Sequence, residues 1–448
     1  MSDAQIPEAR RATAPHFSVL RSLKLGTFHI GSALTDLLTS AVWNRILIAD
    51  LGAAAWPIGL LTALRYLLAP LTLWIGHRSD TQPLFGSRRV AYIWLGRLLM
   101  LLSLPLLPAA VAAIAVDLRS SLGWGLAALS FVAYGIGTLI SGAPFLALVH
   151  DSAPYARRGQ AVSIVQFVLI LSFAFLPAAY AWLMPTYNPA LFWRLAWVGL
   201  AGAAVFWVFA VWGEERSLAA AAAPAASPAL AAFRPALNAI WRDAHTRRYA
   251  AFLSASAFFA FMQDALLEPF GGEVFGLPVG ETTLFNAYWG AGVLVSMVGA
   301  YLATRRRRPE QQDQTAGLGL ALLSAALLLL GLASALGWLL WVRPVLVIFG
   351  LGFGIFTVGG VSLLMAMSSE EKAGVYMALW TMVQLTSRGA GIAAGGVLRD
   401  VALALTGQHS LAYAAVFFIE AAGLLVAITL LRRADVRGFA ARRDAGLR

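Results

Sequence analysis

Hydrophobic positions along this chain come in long runs, divided by short charged or Pro/Gly-rich segments. A helix crosses the hydrocarbon core of a bilayer in about 20 residues. Read that way, the runs predict six spans at 25–49, 57–77, 90–116, 123–148, 159–184 and 194–213. Six more follow at 249–270, 283–304, 316–337, 341–368, 374–398 and 410–431. Between the two sets lies the longest polar interruption, 214–248. It holds Glu214 and Glu215, an Ala/Pro-rich stretch from Ala219 to Ala232, and a basic segment from Arg234 to Arg248. This composition reads as a flexible linker leading into a surface helix. The expected order is a terminal segment 1–24, a six-helix bundle 25–213, the linker 214–248, a second bundle 249–431 and a basic tail 432–448.

An even number of spans puts both termini on one side, and the basic residues say which. The side of the termini collects 25 of the 33 Lys and Arg residues, including Arg78, Arg88, Arg89 and the run Arg305 to Arg308. The opposite side holds five: Arg45, Arg119, Arg194, Arg343 and Arg399. Both termini are therefore expected in the cytoplasm. The first apolar run follows a basic segment and has no small-residue cleavage site, so a removable signal peptide is not expected.

Composition fits a chain solvated by lipid. Hydrophobic residues make up 60% and charged residues 12%, against about 25% charged in soluble domains. The net charge of +11 sits in loops at the membrane surface, which points to anionic lipids as partners and away from nucleic acid. Cysteine is absent, which removes disulfides, thiolate metal sites and cysteine nucleophiles. Six scattered histidines show no pair at ligand spacing, so no metal-ion site is expected. No phosphate loop or nucleophile–base set appears, so an enzyme is not expected.

The loop after the second span reads Gly76-His77-Arg78-Ser79-Asp80, then Gly86-Ser87-Arg88-Arg89. It resembles the signature that members of the major facilitator superfamily carry in this loop. The fold class implied is that superfamily's: two six-helix bundles around a central linker. An aspartate at a helix end can bond to a neighbouring helix N-terminus and to arginines. Gly76, Asp80, Arg88 and Arg89 then form either a moving gate or a static clasp.

Four separated stretches carry a narrower resemblance. The first span ends Asn44-Arg45-Ile46-Leu47-Ile48, then Asp50-Leu51-Gly52. The third begins Arg88-Arg89-Val90-Ala91-Tyr92-Ile93-Trp94. The seventh reads Asp264-Ala265-Leu266-Leu267-Glu268-Pro269-Phe270-Gly271-Gly272, and the eleventh ends Gly395-Gly396-Val397-Leu398-Arg399-Asp400. Together they are similar to the bacteriochlorophyll-delivery (PucC/LhaA-type) branch of the superfamily, over about residues 20–430. The resemblance implies assistance to light-harvesting complex assembly in the bacterial inner (intracytoplasmic) membrane. It implies bacteriochlorophyll a or a precursor as cargo. The implied partners are light-harvesting polypeptides or a reaction-centre complex, and chlorophyll synthase. Asn44 and Arg45 join the cavity candidates on this ground.

The seventh-span motif has its own physics. Asp264 and Glu268, four apart, share a helix face. Pro269 disfavours helix at Glu268, and Gly271 and Gly272 permit close backbone approach. The helix is expected to break near the boundary opposite the termini, with its acids lining a cavity or resting at the interface. His29 stands where the family pattern has a glutamine. Its imidazole can ligate a pigment magnesium or bond to a neighbouring carbonyl.

Ionisable residues inside spans cost roughly 2.5–3.5 kcal/mol each on insertion scales, so each needs a partner or a role. Asp36 and Arg65 lie mid-span in the first half, Arg388 and Glu420 in the second. Each half is expected to neutralise its own pair. Asp36, Arg65 and Arg97 depart from the family pattern. Three functions follow for such a chain: pigment-handling assembly factor, proton-coupled solute transporter, or pigment-free scaffold.

Overall fold

The computed structural model describes residues 17–82, 84, 85, 87, 89–154, 157–214, 238, 241, 244–367 and 373–438. Most of the expected linker, the first 16 residues and the last ten of the tail lie outside the described residues. Among the described residues the chain is helical, apart from turns and one isolated bridge between Leu84 and Ser87.

Among the described residues, nine helices are long and apolar enough to cross a membrane unaided. They are Val90–Val116, Ser121–Asp151, Arg158–Leu183, Pro189–Val211, Val279–Thr304, Glu310–Leu336, Leu339–Ala366, Ala378–Thr406 and His409–Gly438. A tenth span is the bent pair Ala244–Ala265 and Leu267–Phe275, which turn by 46°. The first two spans are assembled from shorter consecutive pieces. The first runs through Val19–Gly26, Phe28–Leu37 and Trp43–Arg45, with single π turns at Leu38–Val42 and Ile46–Asp50. The second is Ala55–Leu67 followed by Leu71–Thr81, interrupted just before Pro70 ends the turn. Proline has no N–H to give the ladder, which favours a break there.

Helices this apolar gain nothing from hiding from lipid, so they associate through close packing and polar contacts. The eleventh span lays Gly391 and Gly395 against the carbonyls of Phe258 and Met262 in the seventh. A methyl on either glycine would meet those oxygens. Glycines of the tenth span do the same: Gly350 meets Trp289 of the eighth, and Gly352 meets Leu323 of the ninth.

The two halves meet along a seam. At the end opposite the termini, the second span packs on the eleventh, where Gly59 and Gly396 bring the backbones together. The fifth span meets the eighth there, with the Gly280 amide donating to the Pro185 carbonyl at 3.0 Å. The seam continues to mid-depth, where Gly389 lies beside Tyr66 and Leu67. Beyond the turn at Leu68–Pro70 the second span leaves the seam. Its continuation Leu71–Thr81 packs on the fourth span of its own half. Among the described residues the halves are thus joined from the far end to mid-depth.

Candidate functional site

Two acid–base pairs sit at mid-depth, one per half. In the first half Asp36 Oδ1 accepts from Arg65 Nη1 at 2.5 Å and from the Tyr134 hydroxyl at 2.5 Å. That hydroxyl also lies 2.9 Å from Thr35 Oγ1. In the second half Arg388 Nη2 donates to Asp264 Oδ2 at 2.7 Å. The Asp36 and Asp264 side chains are 28% and 24% exposed, so both pairs border open space.

The pairing of the second half differs from the expectation. Arg388 takes Asp264, and Glu420 stands apart. The reason lies in the seventh span, which breaks earlier than Pro269. A 3₁₀ turn, Met262–Ala265, swings Asp264 toward the eleventh span. Pro269 then falls in the first turn of Leu267–Phe275, where a missing N–H costs nothing. Asp264 and Glu268 therefore do not act as one face. Glu268 Oε1 accepts from Asn286 Nδ2 of the eighth span, and its other oxygen has no partner among the described residues. Both acids border a small cavity of about 30 Å³, room for a water or two. Glu420 is fully buried beside the break, and neither carboxyl oxygen finds a hydrogen-bond donor among the described side chains.

A ring joins the two pairs. The Arg388 guanidinium carbon lies 4.3 Å from the Tyr66 centroid, and that of Arg65 lies 4.7 Å from it. Arg388 also packs 3.9 Å from the Phe261 centroid, at the break itself. The charges of both halves thus converge on one aromatic residue of the seam.

At the end opposite the termini, Arg45 crosses between halves. Its Nη2 donates to the Leu277 carbonyl at 2.7 Å, and its Nη1 pairs with Asp50 at 2.9 Å. Gly272 leaves room here: a methyl in its place would meet the Arg45 guanidinium and push it off its partners. Gly271 lies against Phe285 and Thr282 of the eighth span. Asn44 has a local role: it donates to the Ser40 carbonyl and accepts from Thr62. The Asp400 carboxylate reaches across the seam and accepts from the Ala55 and Trp56 amides at 3.0 and 2.8 Å, capping the second span. Beside it Arg399 pairs with Asp400 and Glu273, and Glu273 accepts from the Tyr413 hydroxyl at 2.6 Å. Gly272, Glu273, Arg399 and Asp400 line a surface cavity of about 730 Å³.

On the side of the termini Arg89 pairs with Asp151, tying the third span to the fourth. Gly76 faces the fourth span at Ala143. The Asp80 side chain and Arg88 lie outside the described residues, so the four-residue gate or clasp is seen only in part. His29 packs edge-on against Phe28 and Phe145, with ring centroids 6.0 and 5.5 Å away. Tyr66, Tyr134, Glu273 and Asp400 were not among the sequence candidates. Tyr66 and Asp400 each adjoin an arginine of interest, but neither position reveals that its contact lies in the other half.

Among the described residues no group of three or more His, Asp or Glu is placed to hold a metal ion. The site sets two ion pairs and an aromatic ring between two apolar bundles. Fold and site define a multi-pass membrane protein with the architecture of a secondary transporter. The chain belongs to the PUCC protein family, whose description matches residues 42–439. A protein of Rhodobacter capsulatus named bacteriochlorophyll synthase 44.5 kDa chain is 31% identical over 91% of this chain and 94% of its own length. Protein PucC of Cereibacter sphaeroides is 29% identical, covering 94% of each chain. Among solved structures, a POT family transporter in complex with 5-aminolevulinic acid superposes with a TM-score of 0.67. It is 14% identical, over 93% of this chain and 96% of its own. A bacterial homologue of the iron transporter ferroportin also gives 0.67, at 15% identity over 94% and 100%. At these identities the likeness is one of fold.

Proposed function

We propose that this chain is a membrane assembly factor for purple-bacterial light-harvesting complexes, binding or delivering bacteriochlorophyll a or a precursor to antenna polypeptides. Its membership of the PUCC family across nearly its whole length carries the reading. The names of its relatives, which include bacteriochlorophyll synthase chain and PucC, support the same direction. So does the chemistry of the seam: a pigment is a large apolar ring with a polar edge, and the mid-depth pairs offer that edge a place. The protein acts without catalysing a reaction. It resides in the inner (intracytoplasmic) membrane with both termini cytoplasmic. Its partners are light-harvesting polypeptides or a reaction-centre complex, chlorophyll synthase and anionic lipids. Asp80, Arg88, Arg89 and Gly76 serve as gate or clasp, and His29 is a candidate pigment ligand.

Deletion of the gene tests this. The expected outcome is loss of near-infrared antenna absorbance, with pigment copurifying with the protein in mild detergent. Intact antenna bands in the deletion strain, with a colourless purified protein, would overturn it.

The second reading, a proton-coupled solute transporter, is favoured by Glu420, a fully buried carboxyl that meets no cationic side chain among the described residues and lies beside the Asp264–Arg388 pair. Uptake into proteoliposomes under a pH gradient, abolished in Asp36→Asn, would support it over the first.

A further inference from the structure

Among the described residues, the first half carries one mid-depth arginine more than its mid-depth carboxylates pair with. Asp36 is engaged by Arg65 and by the Tyr134 hydroxyl. Arg97 of the third span is only 5% exposed and has no carboxylate at ion-pair distance among the described residues. Its guanidinium rests 4.2 Å from the Phe28 centroid and 4.5 Å from that of Trp207. Its Nη1 reaches Ser32 Oγ at 3.3 Å and Met100 Sδ at 3.2 Å, and its Nε has no partner. Trp207 is itself held, donating to the Phe28 carbonyl at 3.0 Å. A buried cation costs several kcal/mol in this setting, and aromatic faces return about 0.5–2 kcal/mol. A guanidinium with free donors is best answered by a carboxylate bound in bidentate fashion.

We propose that Arg97 and Ser32, beside the Asp36–Arg65 pair, form a subsite for a single carboxylate, so that the cargo is taken up as a free acid and not as its ester. Ser32 and Asp36 are both half-buried, and Ser32 Oγ is the polar atom that meets the Arg97 guanidinium. One monoanion balances the one surplus cation. A phosphate dianion is disfavoured, because Asp36 adds a negative charge close by and Arg97 is the mid-depth arginine of this half without a carboxylate partner among the described residues. The inference rests on the pigment-handling reading above for the rest of the ligand: an extended apolar ring system bearing one ionised carboxylate.

The test titrates the purified full chain in detergent with bacteriochlorophyllide a, which has a free propionate, and with its methyl ester. Absorption shift reports binding of each. The wild-type protein is expected to bind the acid about tenfold more tightly than the ester. Arg97→Gln is expected to bring the two within about twofold by weakening acid binding alone, and Arg97→Lys to keep part of the preference. Equal binding of acid and ester by the wild type overturns the subsite and leaves the pigment reading intact. Retention of the full preference in Arg97→Gln also overturns it. If the wild type binds neither molecule, both readings fall. The acid–ester comparison needs only the wild type, so it stands even where Arg97→Gln does not fold.

Discussion

The Arg388 guanidinium of the eleventh span stacks on the ring of Tyr66 in the second, 4.3 Å from its centroid. It is a contact between halves at mid-depth, just where the second span turns away from the seam. Cation–π contacts contribute about 0.5–2 kcal/mol, more when dry. Tyr66→Phe keeps the ring and is expected to stay within about 0.5 kcal/mol of wild type. Tyr66→Ala removes the ring from both Arg65 and Arg388 and is expected to cost about 2–4 kcal/mol. Thermal unfolding of the two variants in detergent checks this; equal losses would show that the hydroxyl, not the ring, matters.

The ion pairs make a prediction about coupling. Asp36 with Arg65, and Asp264 with Arg388, should each give a double-mutant interaction energy of about 1–3 kcal/mol. Glu420 with Arg388 should be nearly additive, because Arg388 is turned to Asp264. Breaking one partner leaves a charge stranded at depth, so single substitutions are expected to hurt more than the double. Denaturant titration of the three cycles decides it, and strong Glu420–Arg388 coupling would contradict the geometry.

Asp400 caps a helix that belongs to the other half, so its loss should loosen the seam and the second span together. A lost cap costs about 0.5–2 kcal/mol. Because the chain has no cysteine, a single one can report locally. In an Ala54→Cys background, Asp400→Ala is expected to raise the rate of thiol labelling by a membrane-impermeant reagent several-fold. An unchanged rate would mean that the seam is held without the cap.

Much of this fold could be read from the order of residues, because lipid imposes one demand on every span. Runs near 20 apolar residues, and a basic bias to one side, need no tertiary information. The first two spans were found by that length rule although their helices are broken, since hydropathy does not register a π turn or the turn at Pro70. The site was less legible. Asp36 and Arg65 meet inside one bundle, where the long arginine side chain reaches from the second span to the first. Arg388 chose Asp264 because a 3₁₀ turn rotated it, and nothing local in Met262–Ala265 announces that turn. Pro269 was the visible breaker, yet it lies past the break, in a helix's first turn where it does no harm. Contacts across the seam, such as Tyr66 with Arg388, depend on how two bundles dock.

Gly272 faces the Arg45 guanidinium, which is fixed by the Leu277 carbonyl and Asp50. Gly272→Val is expected to cost about 1–3 kcal/mol through overpacking. Arg45→Ala in the same chain should recover part of that loss by emptying the space. Melting temperatures of the two singles and the double give the answer, and a fully additive double would refute the close approach.

Glu420 offers a last prediction, about which form of a carboxyl the interior accepts. It is fully buried in the twelfth span, and neither oxygen has a hydrogen-bond donor among the described side chains. Arg388, the nearest expected partner, is committed to Asp264. An ionised carboxylate left this way would carry a desolvation cost of several kcal/mol. The neutral acid avoids most of it, so a neutral side chain is expected to suit this position. Glu420→Gln copies the size and neutrality of that acid and is expected to change stability by less than about 1 kcal/mol. Glu420→Lys places a cation at the same buried position and should prevent accumulation of folded protein. Infrared difference spectra between wild type and Glu420→Gln check the protonation directly. A protonated carbonyl stretch lost in the variant is the expected result, whereas loss of a carboxylate band would mean that a charged partner reaches Glu420.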